Sequence, residues 1–149
     1  MAYVVGIVIG LLTSLFARVT RFDRDRAFYP TVLVVVALYY ILFAAMGESA
    51  HALRLESIQL AVFAGIAVVG FRSSLWWVVA GLAGHGVFDL AHGYLVANPG
   101  VPLWWPGFCM AADVVLAAFL ALLLYRRVVP ARWRALSASI LKELSIEER

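Results

Sequence analysis

The stretch "GFCMAADVVLAAFLALLLY", residues 107–125, contains a single charged residue, Asp113, and is followed directly by Arg126 and Arg127. As a helix it would rise roughly 28 Å at 1.5 Å per residue, which is close to the thickness of a membrane's hydrocarbon core. The rest of the chain has the same character, because 64% of its 149 residues are hydrophobic and its mean hydropathy is +0.93. We therefore expect an all-α integral membrane protein.

Four more apolar segments are predicted to span the membrane, at residues 3–17, 30–48, 55–71 and 75–94. The third of these is the weakest, because Glu56, Ser57 and Gln59 stand near its start. The prediction is a bundle of five transmembrane helices, with four spans plus a re-entrant segment as the alternative. Because the chain has no internal repeat or flexible linker, residues 1–129 form one bundle and residues 130–149 a tail.

The arginines give the predicted orientation. In a five-span bundle all but one of the 12 Lys and Arg residues lie on the same side, and only Arg54 lies opposite. Basic loops stay in the cytoplasm, so the N-terminus is predicted outside and the C-terminus inside. With four spans, Arg72 and the basic loop at 18–26 would lie on opposite faces. The charges therefore favour five spans.

The tail at 130–149 has a different pattern from the spans. Apolar residues recur in it at helical spacing among basic ones: Trp133, Leu136, Ile140, Leu141 and Leu144. Such an amphipathic helix is expected to lie on the cytoplasmic membrane surface, attracted by anionic lipid, with a partner-binding helix as the alternative. The net charge of +3 does not indicate a nucleic-acid partner, because the basic residues stand at helix ends. The lipid bilayer is the expected partner, and the oligomeric state is left open.

Ionisable residues interrupt the last two predicted spans. His85, Asp89 and His92 have the spacing i, i+4, i+7, which places them within about 60° of one helix face. Cys109 and Asp113 form an i, i+4 pair on the next span. The connection between these spans is short and contains an Asn-Pro-Gly turn signal, so the two helices should be antiparallel neighbours. Asp89 and Asp113 are then expected at one depth in the outer half of the membrane.

Such a cluster is costly unless something compensates it. A charged Asp at the centre of a membrane helix is unfavourable by about 2.5–3.5 kcal/mol on insertion scales. Asp89 and Asp113 at one level would also repel each other unless a cation or a shared proton intervened. Glu48 and His51, in the predicted outer turn after the second span, are weaker candidates for the same cluster. The sequence leaves three explanations open.

A metal ion is the first explanation. Neutral imidazoles and carboxylates suit zinc, iron or manganese, and a carboxylate can also orient a ligating histidine. A divalent ion would offset the two negative charges. The residues predicted to hold it are His85, Asp89, His92 and Asp113, with Cys109, Glu48 and His51 as weaker candidates.

Proton chemistry without a metal is the second explanation. Asp89, Asp113 and His85 would then be the catalytic residues, exchanging a proton with a lipid-like or small molecule. An isomerase or a hydrolase would fit this chemistry, and a metal-dependent hydrolase or oxidoreductase would fit the metal-bound site. The same residues could instead relay protons in a small proton-coupled carrier.

A purely structural role is the third explanation. Asp–His hydrogen bonds between membrane helices contribute only about 0.6–2 kcal/mol each, yet they can hold a bundle together. In that case no ligand would bind. The number of ionisable residues predicted at one level favours a functional site over this explanation.

The pattern H-x3-D-x2-H, then Asn-Pro, then a cysteine with an aspartate four residues on, resembles an uncharacterised family of small bacterial multi-pass membrane proteins, one of the domain-of-unknown-function type. The matching positions are His85, Asp89, His92, Asn98, Pro99, Cys109 and Asp113. The resemblance implies a bacterial inner-membrane protein in which the His/Asp helix pairs with the Cys/Asp helix, and it implies no activity. A looser similarity to membrane sterol isomerases, through His85 and Asp89 alone, implies a lipid-like ligand.

Overall fold

The computed structural model describes residues 1–131, which form five α-helices and a short 3-10 turn. The helices are α1 (Ala2–Thr20), α2 (Phe28–Met46), α3 (Ala50–Arg72), α4 (Trp76–Leu95) and α5 (Trp105–Tyr125). There is no strand among the described residues, so the all-α prediction is confirmed, and each predicted span overlaps one helix. The amphipathic helix expected for the tail, with Trp133, Leu136, Ile140, Leu141 and Leu144, lies outside the described residues.

Four of the five helices, α1, α2, α3 and α5, are long and apolar enough to cross a membrane. The prediction that the third segment is the weakest span is wrong, because α3 meets this measure and α4 does not. His85, Asp89, His92 and several glycines lower the hydropathy of α4. The outer faces of the helices carry many exposed apolar side chains, as expected of surfaces in contact with membrane lipid.

The helices pack in the order α1–α5–α4–α3–α2, and α2 also contacts α4. Their shared interior is apolar around Leu33, Phe63, Leu82 and Leu120. The predicted pairing of the His/Asp helix with the Cys/Asp helix is therefore present as the contact between α4 and α5. Helices α2, α3 and α5 pack around the polar residues of α4.

Helix α1 packs against α5 through small residues. Gly6, Gly10 and Ser14 recur every four residues on its buried face. A Cβ atom placed on Gly6 would lie 2.2 Å from the carbonyl oxygen of Phe108 in α5, so the two backbones are in close contact there. Small residues at this spacing are the usual means by which membrane helices approach each other closely.

Replacing Gly6 with alanine is expected to lower the free energy of unfolding by about 1–3 kcal/mol, the usual cost of overpacking a tight contact. Thermal unfolding in detergent would measure this. Gly65→Ala is the matched control, because a Cβ on Gly65 meets no atom within 4 Å. The control should be as stable as the wild type or slightly more stable, since alanine favours helix over glycine. Equal stability of the two variants would contradict the close contact between α1 and α5.

The end of the bundle formed by the α1–α2 connection is held by a buried arginine. The guanidinium of Arg26 donates hydrogen bonds to the carbonyl oxygens of Phe71, 3.0 Å away, and of Pro130. These bonds join the connection to the end of α3 and to the segment after α5. Burial lowers the pKa of Arg26 from its ordinary value.

At the opposite end, the turn between α2 and α3 meets the connection between α4 and α5. Asn98 joins the α4–α5 connection to α2 and α3: its Nδ2 donates to the backbone oxygen of Tyr40 at 3.1 Å and to Glu56 Oε1 at 3.0 Å. Its Oδ1 accepts from the backbone N–H of Gly100 at 3.2 Å. A Cβ on Gly100 would lie 1.8 Å from the backbone oxygen of Phe43, so only glycine fits there. At this end of the bundle the α4–α5 connection is therefore held against α2 and α3, beside the polar residues of α4.

Candidate functional site

Four ionisable side chains from α4 and α5 meet in the interior of the bundle. They are His85 and Asp89 of α4 and Cys109 and Asp113 of α5, all of them buried, and we call them the central group. One potential ligand atom from each lies within 4.8 Å of the others. His85 Nδ1 is 2.7 Å from Asp113 Oδ2 and 3.6 Å from Asp89 Oδ2. Cys109 Sγ is 3.9 Å from Asp113 Oδ2.

Helical spacing and a close approach of two helices create the central group. Within each helix the two members stand four residues apart, which places them one above the other on the same face. Gly86 lies beside them on α4, and a Cβ there would be 3.3 Å from the carbonyl oxygen of Met110 and 3.7 Å from the Cβ of Asp113. The missing side chain at Gly86 thus allows α5 to come near enough for His85 to reach Asp113.

Tyr40, from α2, is bound to the central group. Its hydroxyl donates to Asp89 Oδ1 at 2.6 Å, and its side chain is completely buried. Its ring also stacks on that of His92, with the centroids 4.2 Å apart and the planes at 27°. Tyr40 is not among the residues predicted for the site, because a tyrosine in an apolar helix most often serves in packing. No spacing rule connects it with α4.

His92 does not join the central group. Its Nε2 lies 2.8 Å from Glu56 Oε1 on α3, and both side chains are buried. We call Glu56 and His92 the outer pair. His92 is predicted with the other ligands because it shares their helix face, whereas Glu56 is predicted only to weaken the third span. The spacing of Glu56 and Gln59 could have indicated this role. Two polar residues three positions apart lie on one face of an apolar helix, which indicates a polar partner on a neighbouring helix.

Glu48 and His51, the weakest candidates, lie at the turn between α2 and α3. Both are exposed, and neither belongs to the central group or the outer pair. Glu48 has a φ of 51°, which is the left-handed conformation that ends the turn after α2. The structure therefore brings together four of the seven predicted site residues and leaves His92, Glu48 and His51 elsewhere.

The central group has unused bonding capacity. His85 Nε2, Asp89 Oδ2 and Asp113 Oδ1 are buried and have no hydrogen-bond partner among residues 1–131. Buried polar atoms are nearly always paired with protein, water or an ion, so three in one group indicate a place for something else. The donor set of one imidazole, two carboxylates and one thiol fits a divalent metal ion such as zinc.

A cleft reaches the site from the end where the α4–α5 connection lies. It has a volume of about 840 Å³, and its walls include Asp89 of the central group and His92 of the outer pair. Asn98 and apolar residues such as Leu90 and Leu103 complete them. Asp89 and His92 are only 1% and 2% exposed, so the cleft contacts each polar site at one residue.

Comparison with known proteins gives no match, since no family model, curated protein or solved structure is similar to the chain. The class of the protein is defined by the structure itself: an all-α protein with helices suited to a membrane and a buried His/Asp/Cys group. The resemblance to small bacterial multi-pass proteins stays a prediction. Any function must be argued from the residues of the site.

Proposed function

We propose that this chain is a membrane protein whose central group binds a divalent metal ion, with zinc as the best fit. The observation that carries the proposal is the convergence of four ligand atoms within 4.8 Å, in a buried group with three unpaired polar atoms. Hydrogen bonding alone would leave those atoms unsatisfied, at a cost of about 1–3 kcal/mol each. An ion bound among them removes that cost.

The donor types favour zinc over harder cations. Zinc accepts imidazole nitrogen, carboxylate oxygen and thiolate sulfur in four-coordinate sites, whereas magnesium and calcium prefer oxygen alone. Manganese suits the two carboxylates but not the sulfur of Cys109, and iron is the nearest competitor. The charges of the group also favour a bound cation, because two buried carboxylates lie beside a single imidazole and no Lys or Arg belongs to the group.

The residues around the central group would hold and orient its ligands. Tyr40 donates to Asp89 Oδ1, whereas His85 lies near Oδ2, so the two residues hold the carboxylate at different oxygens. Asp113 accepts from His85 at 2.7 Å, which fixes the imidazole ring. Asp89 also lines the cleft, so a ligand there would meet the group from that side. When bound, such an ion supplies positive charge that polarises a carbonyl or activates a water molecule.

The proposal includes five spans, with the N-terminus outside and the C-terminus inside, in a bacterial inner membrane. Helix α4 has 20 residues and packs along both α3 and α5, which supports its crossing the membrane with them. The distribution of Lys and Arg supports the orientation. In this orientation the cleft opens toward the external face.

A proton held by His85 between the two carboxylates is the second candidate, and two distances favour it. His85 Nδ1 lies 2.7 Å from Asp113 and 3.6 Å from Asp89, so a protonated imidazole would compensate both carboxylates without a metal. The site would then perform acid–base chemistry or relay protons in a carrier. In that case Cys109 is a small buried residue and no ligand.

Metal content separates the two candidates. Inductively coupled plasma mass spectrometry of the detergent-purified protein measures this content. We expect close to one equivalent of zinc in the wild type and none in the double variant Asp89→Asn/Asp113→Asn. Glu56→Gln is the matched control, because Glu56 is a buried carboxylate outside the central group. It should keep the metal of the wild type. A wild type without stoichiometric metal would overturn the metal site and favour the proton site.

A further inference from the structure

The outer pair and the central group meet the same cleft. Asp89 and His92 stand three residues apart on α4, so their side chains are neighbours on one helix face, and both line the cleft walls. His92 is bound to Glu56 and is no candidate ligand of the central group. A second ionisable side chain that lies beside the proposed metal site and lines the same cleft needs a role of its own.

The ring of His92 is held directly by Glu56 and Tyr40, and indirectly by Asn98. When Glu56 is the acceptor of this hydrogen bond, Nε2 carries the proton and donates to Glu56 Oε1 at 2.8 Å. Asn98 donates to the same oxygen at 3.0 Å, and the ring of Tyr40 stacks on the imidazole. This leaves Nδ1 as the unprotonated nitrogen. An imidazole oriented by a buried carboxylate with its other nitrogen free is the arrangement of a general base.

The walls of the cleft indicate what kind of molecule would bind. None of the described residues that line it is Lys or Arg, and Asp89 adds negative charge, so an anionic phosphate group would be repelled. Leu90, Tyr94 and Leu103 line it as well and are exposed. An uncharged head with an apolar chain suits these walls, because the chain can lie on the apolar residues and the head beside Asp89 and His92.

We propose that His92 is the general base of a hydrolytic reaction in this cleft, that Glu56 is its positioning residue, and that the substrate is an uncharged amphiphile with an acyl ester bond. The inference rests on the proposed metal site, which would polarise the ester carbonyl.

Water is the co-reactant. A water molecule gives a proton to His92 Nδ1 while its oxygen bonds to the acyl carbon, and the carbon–oxygen bond to the alcohol then breaks. The departing alkoxide takes the proton from His92, which leaves a carboxylic acid and an alcohol.

Chemical labelling of the histidines tests the geometry in the wild-type protein. Diethyl pyrocarbonate acylates accessible, unprotonated imidazole nitrogens, and peptide mass spectrometry assigns the product. The three histidines serve as one another's references, because His51 is exposed and His85 is completely buried. We expect His92, which is 2% exposed, to react more slowly than the exposed His51, and the fully buried His85 to remain unmodified. In Glu56→Gln the labelling of His92 should slow roughly 10-fold, as expected when the carboxylate that orients a histidine is lost. Unmodified His92 beside modified His51 would overturn the proposal.

Hydrolysis of 4-nitrophenyl octanoate in detergent micelles tests the reaction. The wild type should hydrolyse this probe, and His92→Asn should lower kcat by roughly 100- to 10,000-fold with little change in KM, since a general base contributes about that much. Glu56→Gln should lower kcat by roughly 10- to 100-fold, and Glu56→Asp should recover part of the loss. A wild-type rate no higher than that of His92→Asn would overturn the proposal.

Zinc content, measured on the same samples, separates this inference from the metal site. If the samples carry zinc and the rate is that of His92→Asn, the general base is wrong and the metal site stands. If the wild type carries no zinc, the metal site fails, and the hydrolytic proposal that rests on it fails too. Thermal unfolding of His92→Asn shows that its lower rate is not a loss of the fold.

Discussion

Replacing Asp113 with asparagine is expected to reduce the zinc affinity of the protein by more than about 100-fold, which exceeds the roughly 10- to 100-fold cost of losing an outer-shell partner. Asp113 is the residue on which the central group converges. Its Oδ2 lies 2.7 Å from His85 Nδ1 and 3.9 Å from Cys109 Sγ, and its Oδ1 has no partner among the described residues. An amide keeps the shape of the side chain but removes its negative charge. Competition with a chromophoric zinc chelator would measure the affinity.

The stability of the same variant distinguishes a binding site from a structural bond. In the presence of a chelator, the wild type has two buried carboxylates, Asp89 and Asp113, beside a single imidazole, and like charges repel. Removing one charge in Asp113→Asn should therefore leave the unfolding temperature unchanged or raise it. With zinc added, only the wild type should gain stability, because a ligand stabilises the state that binds it. If Asp113→Asn lowers Tm equally with chelator and with zinc, the central group holds helices together and does not bind the ion.

Replacing Tyr40 with phenylalanine is expected to lower the stability of the metal-free protein by about 1.5–3 kcal/mol, the usual value of a hydrogen bond to a charged group. The hydroxyl of Tyr40 donates to Asp89 Oδ1 at 2.6 Å inside the bundle, and Asp89 Oδ2 has no hydrogen-bond partner among residues 1–131. The variant would leave both carboxylate oxygens of Asp89 without a hydrogen bond, with only the contact of 3.6 Å from Oδ2 to His85 Nδ1. Zinc affinity should fall by roughly 10- to 100-fold, because Asp89 is no longer held in place.

Tyr39→Phe is the matched control for this prediction. Tyr39 neighbours Tyr40 on α2, but it is exposed and packs beside Trp105 with its ring centroid 5.0 Å away. Loss of its hydroxyl should change neither the unfolding temperature nor the zinc affinity. Equal effects of the two substitutions would mean that the bond from Tyr40 to Asp89 does not support the site.

The fold was largely predictable from the sequence. The length of an apolar segment that spans a membrane is set by the thickness of the hydrocarbon core and does not depend on how the helices pack. All five helices lie where the apolar segments predict them, and the i, i+4 pairs His85/Asp89 and Cys109/Asp113 meet as their spacing and the short α4–α5 connection indicate. The ranking of the segments was wrong. Glu56 lowers the hydropathy of α3 less than the histidines and glycines lower that of α4.

The membership of the site was only partly predictable, because helical spacing identifies a face and not what packs against it. His92 shares a face with Asp89, yet at its level α3 supplies Glu56, which binds it separately. Tyr40 reaches Asp89 only because α2 packs against α4, and a single sequence contains no sign of that contact. Asn98, chosen as part of a turn, proves to bind Glu56 as well. These contacts depend on which helices become neighbours.

X-ray absorption at the zinc edge of the purified, zinc-loaded protein tests the central claim most directly, because it reports the atoms bonded to the ion. With Cys109 and the central group as ligands, we predict one sulfur at about 2.3 Å and nitrogen or oxygen neighbours at about 2.0–2.2 Å. The sulfur contribution should disappear in Cys109→Ser while the lighter neighbours remain. A zinc shell without sulfur in the wild type, or one that Cys109→Ser leaves unchanged, would contradict the account.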